Sequence, residues 1–481
     1  MLLAEWGFKK MHEILTIKWQ MQKPPVAPFQ WYRWEGLPQK NSEMTESPLF
    51  PNGLLEPQSI HIMNKALALG LDRFCGWDLS EIPEDEQGLF IRAANFYKRG
   101  VAYRSSTENN KPITLSGSYQ LRIFKSTEDI EPVLNSLPSL AEAFVVCDLN
   151  VKKYLTSKNL SPDFSLNANE KQKTLQTIAE ILSVWKSKAS KKHWIIFGGG
   201  ITADIAAFAA AMAQSSFSLV PTTLLSIVDA CIGGKTGVNA PPYGKNQIGS
   251  FAFPEGVYIW PRFLRSLETR EIRNGGAECL KHSYLAGKPH LAATIAGALD
   301  NKNLDIIEDN LLELIQLKSE VVAEDPGESG RRVVLNLGHT LAHALEAVSH
   351  QEKPINPIAH GEAVAIGLLF CFQLSKDHLD LKQEDFTALS APLFKARILL
   401  SKDILENHLA SPLESVELWE KIWSFISHDK KKTNKSIKTS SWVLLREKTE
   451  VFMKDHKTYT VLLDKDQVKH TWDKFVKHYT F

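Results

Sequence analysis

The chain has 481 residues, more than one domain usually holds, and its 43% hydrophobic and 23% charged composition supplies enough apolar material for two or three packed cores. Its 56 Lys and Arg against 55 Asp and Glu leave a net charge of +1, so nothing in the balance calls for nucleic acid or an anionic membrane as partner. Five scattered cysteines with no Cys-x-x-Cys pair, and an amino terminus without the apolar core of a signal peptide, predict a soluble cytoplasmic protein with reduced thiols. The most apolar stretches, 205–213 and 363–372, fall short of the roughly 18 residues that a membrane span needs.

Residues 1–111 form a compositional unit of their own. Pro24, Pro25, Trp31 and Trp34 mark an irregular aromatic-rich arm, 41–47 reads as a linker, and the apolar spacing is helical over 60–71 and 87–97. No chemistry attaches to this segment. It is expected to be a helical appendage, an oligomerisation arm, or partly an early start, since Met11, Met21 and Met44 are alternatives. From Ile113 the pattern changes. A buried strand is predicted over 143–147, ending at Asp148, then an amphipathic helix over 175–186, a strand over 193–197, a very apolar helix over 201–212 and a strand over 217–220. Such alternation argues an α/β nucleotide-binding domain, 112–262, built on a parallel sheet with helices on both faces. Beyond Pro261 helices dominate, at 270–284, 306–323, 332–348 and 360–375, with a basic loop at 430–438 and a late strand at 441–445. Residues 263–481 are accordingly expected to be a mainly α-helical domain.

Three groups of residues carry chemistry. The first is the Gly198-Gly199-Gly200 turn between a strand and a helix, a geometry that seats a pyrophosphate on exposed backbone N–H groups, although a glycine triplet alone is also an ordinary tight turn. In the second, Arg332, Asn336, His339 and His343 follow at i, i+4, i+7 and i+11, which places them on one face of a single helix whose other residues are largely apolar. Solvated stripes favour Lys and Glu over Arg, Asn and two His. Glu278 and Lys281 stand i, i+3 on a preceding helix and His360 opens a later one. Two imidazoles and one carboxylate from three helices satisfy the ligand set of an open catalytic zinc-like site. Thr340 stands where a His-Glu-x-x-His protease carries its glutamate, so that chemistry is excluded. The third group is cationic and is selected by the resemblance given next, not by spacing: Lys235, Lys245, Lys281, Lys318 and Arg332, with Asn246 and one of Lys430 or Lys431, fall at positions that would suit a substrate bearing phosphate and carboxylate.

In content and order these segments, with Val220-Pro221-Thr222-Thr223, Gly276-Ala277-Glu278-Cys279-Leu280-Lys281, Gly338-His339-Thr340-Leu341-Ala342-His343 and His360-Gly361-Glu362, resemble the 3-dehydroquinate synthases over about 144–446. The resemblance implies a dehydroquinate synthase-like fold, NAD and a divalent metal (Zn2+ or Co2+) as cofactors, and a homodimer. It implies Glu278, His339 and His360 as metal ligands, and Asp148, Glu170, Lys173, Gly199, Gly200, Asp204, Thr222, Thr223, Lys235 and Lys245 as NAD contacts. Lys235, Asn246 and His343 would hold the substrate's phosphate, Asp229 and Lys281 its ring hydroxyls, and Lys318, Arg332 and Asn336 its carboxylate. The implied reaction converts 3-deoxy-D-arabino-heptulosonate 7-phosphate to 3-dehydroquinate and phosphate by transient oxidation, β-elimination and intramolecular aldol closure. Four departures stand out. Ala203 replaces a glycine of the GGG-x-x-G-D pattern, and Asn167-Ala168-Asn169 replaces the Pro-Asp-Gly before Glu170. Ala213-Gln214-Ser215-Ser216 lacks an Arg-Gly pair whose arginine reaches a neighbouring subunit, and the loop 239–244 is one residue longer. The rivals are a related cyclase acting on sedoheptulose 7-phosphate, a metal-dependent alcohol dehydrogenase, and a degenerate, non-catalytic member of the resembled family.

Overall fold

The computed structural model describes residues 113–481 apart from 189, 241–243, 326–327, 329, 354, 429–438, 448–449, 454–457 and 480–481; before 113 it describes only strand segments. The helical spacing at 60–70 and 87–97, the linker at 41–45, the basic loop 430–438 and the lengthened loop at 241–243 lie outside the described residues. The chain divides into two compact units, Met1–Thr222 with Gly233–Arg262, and Thr223–Ile232 with Phe263–Phe481.

The first unit is built on a seven-stranded sheet. Six strands run parallel, in the order Ile113–Ile123, Gly256–Ile259, Ser216–Pro221, His193–Gly198, Ala143–Asp148 and Phe164–Leu166. Val145, Val146, Ile195, Ile196, Leu219 and Val220 are buried, as strands covered on both faces require. The Gly200–Met212 helix is buried almost all round, through Ala203, Ile205, Ala206, Ala207, Phe208, Ala209 and Ala210. Its small side chains let it pack on the parallel sheet and also on a second, four-stranded sheet that includes the hairpin Lys235–Ala240 and Gly244–Phe251.

Two strands come from the segment that the sequence left unexplained. Glu13–Lys23 adds an antiparallel edge to the large sheet, in register with Ile113–Ile123 from Glu13 opposite Ile123 to Lys23 opposite Ile113. Leu71–Phe74 pairs antiparallel with Gly244–Phe251, setting Phe74 opposite Ile248. These parts of residues 1–111 are sheet components of the first unit, not a helical appendage.

In the second unit His360–His378 is the central helix: every residue from Gly361 to Phe372 is buried. It packs against Thr269–Leu285, His339–Glu352, Gln383–Lys395 and the terminal Lys465–His478. Two expected helices are broken. Arg331–Asn336 is a 3-10 turn, and the α-helix begins only at His339, after Gly338 at φ +81°. The helix expected over 306–323 is two, Leu304–Asp309 and Leu311–Glu324, parted at Asn310. The strand expected at 441–445 is also two, Thr439–Trp442 paired with Val461–Asp464, and Leu445–Glu447 paired with Glu450–Val451.

Candidate active site

The first unit gathers several residues assigned to nucleotide binding. Gly199 is the N-cap of the Gly200–Met212 helix and offers no side-chain cap, so the helix start keeps bare N–H groups. Asp204 lies one turn in and takes the Lys173 ammonium at 2.5 Å. Lys173 also donates to the Asn246 side chain. Glu170 accepts from Asn239 Nδ2 at 2.7 Å, and the Asn246 amide donates to Asn239 Oδ1 at 2.9 Å. The hairpin and the 170–173 turn therefore close on one polar cluster, which holds Asn246 beside Lys173. Asp148 caps the Leu149–Ser157 helix through the Asn150 amide at 2.7 Å and receives Thr202 Oγ1 at 3.4 Å. Thr222 is buried and its amide donates to Gly198 O at 3.0 Å. Lys235 opens the hairpin with an exposed side chain, and Lys245 lies in its return strand.

In the second unit Glu278, His339 and His360 converge, with one ligand atom from each within 4.8 Å of the others. Glu278 Oε1 lies 3.4 Å from His339 Nε2 and 3.5 Å from His360 Nε2. The two rings stand 5.3 Å apart. Each imidazole is oriented from behind: His339 Nδ1 meets Leu337 O at 3.2 Å, and His360 Nδ1 meets Glu346 Oε2 at 3.3 Å. An acceptor at each Nδ1 holds a proton there and turns the Nε2 atoms toward Glu278, the disposition of metal-binding histidines.

Electrostatics supports the same use. Glu278 is fully buried, and neither carboxylate oxygen makes a well-formed hydrogen bond, although Lys281 Nζ lies 2.5 Å from Oε2. Burial opposes its ionisation, but Lys281, His339 and His360 hold its carboxyl well below the usual range. Burial, then Lys281, keeps His339 neutral. Burial also disfavours charge on His360, yet Glu346 and Glu278 outweigh it and raise the ring to about 10. Glu278 Oε1 and the two Nε2 atoms offer a divalent cation three converging ligands in a buried pocket, once His360 gives up the proton that Glu346 and Glu278 hold on it. The donor set of one oxygen and two imidazole nitrogens fits a divalent metal.

How the helices reach this point is visible in two close approaches. Gly361 lies against the Asn274 backbone, where an added Cβ would come 2.1 Å from Asn274 O, while Asn274 Oδ1 receives the Gly361 amide at 2.5 Å. Arg270 grips Glu362 with two bonds of 2.8 Å, and Glu362 accepts the Ala359 amide at 2.8 Å, which fixes the start of the His360 helix. At Gly338 the positive φ turns the chain from the 3-10 segment into the His339 helix. Its carbonyl lies so near Gly367 that an added Cβ there would clash at 2.0 Å.

Beside the metal set lies a buried ionic group. Lys318 Nζ reaches Asp229 Oδ1 and the Asp229 carbonyl, both at 2.5 Å. Burial pushes the Lys318 ammonium down, Asp229 partly restores it, and the buried Arg332 guanidinium lowers it again. Lys281 donates to Leu335 O at 2.8 Å, tying Thr269–Leu285 to the 3-10 turn. Asn336 is half-buried, 3.5 Å from Glu328 Oε1. His343 is exposed one turn beyond His339, with ring centroids 5.3 Å apart. The single-helix stripe expected for Arg332, Asn336, His339 and His343 is thus corrected: the first two sit on a 3-10 turn and the last two on an α-helix, because Gly338 breaks the run.

Asp229, Glu278 and His282 form a second metal-like group. It is not a second cation site, since Lys318 and Lys281 already neutralise its two carboxylates. Sequence reasoning missed His282, Glu346 and the Arg270–Glu362 pair. Glu346 lies seven residues after His339, two turns along the same face, a signal that was there to be read.

Comparison with known proteins decides the family. A model of the 3-dehydroquinate synthase N-terminal domain matches residues 163–274, and one of the C-terminal domain matches 275–432, together more than half of the chain. The chain belongs to the 3-dehydroquinate synthase family. The 3-dehydroquinate synthase of Methylacidiphilum infernorum is 44% identical over 253 residues, which covers 49% of this chain and 65% of that protein. That of Sulfurovum sp. (strain NBC37-1) is 37% identical over 276 residues, 56% and 73%, and that of Pelagibacter ubique 35% identical over 344 residues, 68% and 89%. Among solved structures, 2-deoxy-scyllo-inosose synthase complexed with carbaglucose-6-phosphate, NAD+ and Co2+ superposes with a TM-score of 0.60 at 22% identity, covering 74% of this chain and 97% of that one. The 2-epi-5-epi-valiolone synthase from Streptomyces hygroscopicus subsp. jinggangensis 5008, with NAD+ and Zn2+ bound, gives 0.59 at 20% identity, covering 78% and 99%. These two establish the dehydroquinate synthase-like fold.

Proposed function

We infer that this protein is a 3-dehydroquinate synthase, a carbon–oxygen lyase that converts 3-deoxy-D-arabino-heptulosonate 7-phosphate to 3-dehydroquinate and phosphate. The observation that carries the reading is the convergence of Glu278, His339 and His360 on one buried point, in a chain whose relatives are 3-dehydroquinate synthases. When bound, a divalent cation in this set supplies Lewis acidity at a substrate hydroxyl, and NAD supplies a reversible hydride sink.

The remaining work falls to side chains. Glu278, His339 and His360 hold the cation, with Glu346 and the Leu337 carbonyl fixing the imidazole tautomers. The uncapped helix start at Gly199 and Gly200 suits the pyrophosphate of NAD, with Asp148, Glu170, Lys173, Asp204, Thr222, Thr223 and Lys245 around the cofactor. Lys318, already paired with Asp229, and the buried Arg332 bring two cationic side chains to one region, and with Asn336 they offer donors to a substrate carboxylate. This feature favours a sugar acid over a neutral sugar such as sedoheptulose 7-phosphate. Asp229, oriented by Lys318, and Lys281 serve the ring hydroxyls, while Lys235, Asn246 and His343 serve the phosphate. Cys147, Cys231, Cys279 and Cys371 are buried and form no disulfide among the described residues, which suits a cytoplasmic enzyme. A homodimer is the expected assembly.

The test is direct. Purified protein reconstituted with Zn2+ or Co2+ and NAD should release phosphate from the heptulosonate phosphate with no net absorbance at 340 nm. It should leave sedoheptulose 7-phosphate untouched. Net NADH would make it a dehydrogenase instead, and silence after metal loading would end the proposal. His339→Ala should lose bound metal and at least about a hundredfold in rate. Unchanged metal content would show the ligand set to be wrong.

A further inference from the structure

His282 is a buried histidine for which the reaction gives no role. It follows Glu278 by four residues on the Thr269–Leu285 helix, with its side chain fully inaccessible. Its Nε2 lies 3.6 Å from Glu278 Oε2 and 3.9 Å from Asp229 Oδ1. Neither ring nitrogen makes a hydrogen bond among the described residues. Buried polar nitrogens in native proteins are nearly always paired, so an unpaired imidazole wedged between two carboxylates calls for an explanation.

The surroundings supply one. Two acceptor oxygens face Nε2, which places the proton on that nitrogen. At these separations the contacts are electrostatic, not hydrogen bonds, but a buried N–H dipole aimed between two carboxylates offsets their mutual repulsion. Both carboxylates are also anchored from elsewhere, Glu278 Oε2 by Lys281 and Asp229 Oδ1 by Lys318, each at 2.5 Å. His282 therefore stands where the carboxylate of the metal set meets the Asp229–Lys318 pair.

We propose that His282 is a positioning residue: its Nε2–H holds Glu278 Oε2 on the Asp229 side, so that Oε1 stays turned toward His339 and His360. The proposal rests on the reading of Glu278, His339 and His360 as metal ligands. It adds a residue that touches neither metal nor substrate yet sets how well the metal is held.

The experiment is a chelator-competition titration of Zn2+ into the metal-free full-length protein, together with the visible spectrum of the Co2+ form. His282→Phe keeps the ring and removes the N–H, and it should weaken metal binding about 10–100-fold and shift the Co2+ bands. His282→Gln carries an amide N–H to the place of Nε2 and should recover binding to within about threefold. Equal losses in folded Phe and Gln variants would reduce His282 to a packing role and overturn the proposal, as would wild-type affinity in the Phe variant. Should the Phe variant fail to fold, His282→Asn decides. Its amide reaches only the Nδ1 place, so it should bind as weakly as predicted for Phe, and wild-type binding by it overturns the proposal. Wild-type protein that bound no metal would instead bring down the underlying ligand assignment, an outcome distinct from all of these.

Discussion

Asp163, just before the Phe164–Leu166 edge strand, ties the parallel sheet to the turn that follows the Leu175–Lys186 helix. Its Oδ2 accepts the Val145 amide at 2.8 Å, and Lys188 and Lys191 reach its oxygens at 2.5 and 3.0 Å. Burial pushes this carboxyl up, but Lys188, the Val145 amide and Lys191 outweigh it and hold it below the ordinary range. A carboxyl depressed in the folded state contributes stability that is present above its unfolded pKa of about 3.9 and lost as pH falls through the folded value. Asp163→Asn keeps an acceptor for Val145 and removes the charge. It should cost about 1 kcal/mol at pH 7, with the gap to wild type closing as pH falls below about 4. Urea unfolding at pH 7 and pH 3 measures it, and a gap that persisted at pH 3 would mean the lysines contribute nothing through charge. The same residue scale shows what spacing reveals. Glu278, His339 and His360 were legible because each is a metal-competent side chain on an apolar helix. Glu346 could have been read from its place two turns after His339, but His282 could not, because a histidine next to such a set looks like any other until its distance to the ligands is known.

Between elements, the position of the metal set depends on helices that touch backbone to backbone. Gly361→Ala adds a methyl 2.1 Å from the Asn274 carbonyl without altering any ligand. The two helices must part, so His360 should move off the Glu278 axis. Metal affinity should fall at least tenfold, with about 1–3 kcal/mol of stability lost. Gly297→Ala is the control, since nothing lies within 4 Å of its added Cβ. It should leave metal binding unchanged and raise stability by up to about 1 kcal/mol through helix propensity. If both variants bound metal alike, the Gly361 contact would not set the site. Periodicity made the parallel strands and the His360 helix legible, since apolar runs of that length have few alternatives. It failed at 332–348, where a register of polar residues continued across a break in the helix at Gly338. Nothing in the spacing distinguishes an α-turn from a 3-10 turn, and Gly338 was the one residue that marked the change.

For the whole molecule, the family match stops at both ends before the folded structure does. At the C-terminal end, beyond residue 432, Trp442, Trp472 and Phe475 surround Phe370 of the central helix with ring centroids 5.3–6.0 Å away, so this tail is core. At the N-terminal end the Glu13–Lys23 strand pairs along the full length of Ile113–Ile123, and Ile17, opposite Tyr119, is 3% exposed. Aromatic and proline content in 1–111 hid this strand, because composition says nothing about which distant segment a strand will join. Its contribution can be separated into two parts. Ladder hydrogen bonds, each worth about 1 kcal/mol net, are offset by the cost of ordering the strand's backbone, about 1–2 kcal/mol per residue. Burial of Ile17, about 1.5–3 kcal/mol, is then the main stabilising part. Deleting residues 1–23 and substituting Ile17→Ser should therefore destabilise the first unit by similar amounts, about 2 kcal/mol, in thermal unfolding. Only the deletion bares the Ile113–Ile123 edge, and only it should aggregate as concentration rises, because an unpaired strand edge templates pairing with another chain. A deletion variant that kept the wild-type particle mass by light scattering as concentration rose, or one far less stable than Ile17→Ser, would show that the ladder matters in a way this balance does not capture.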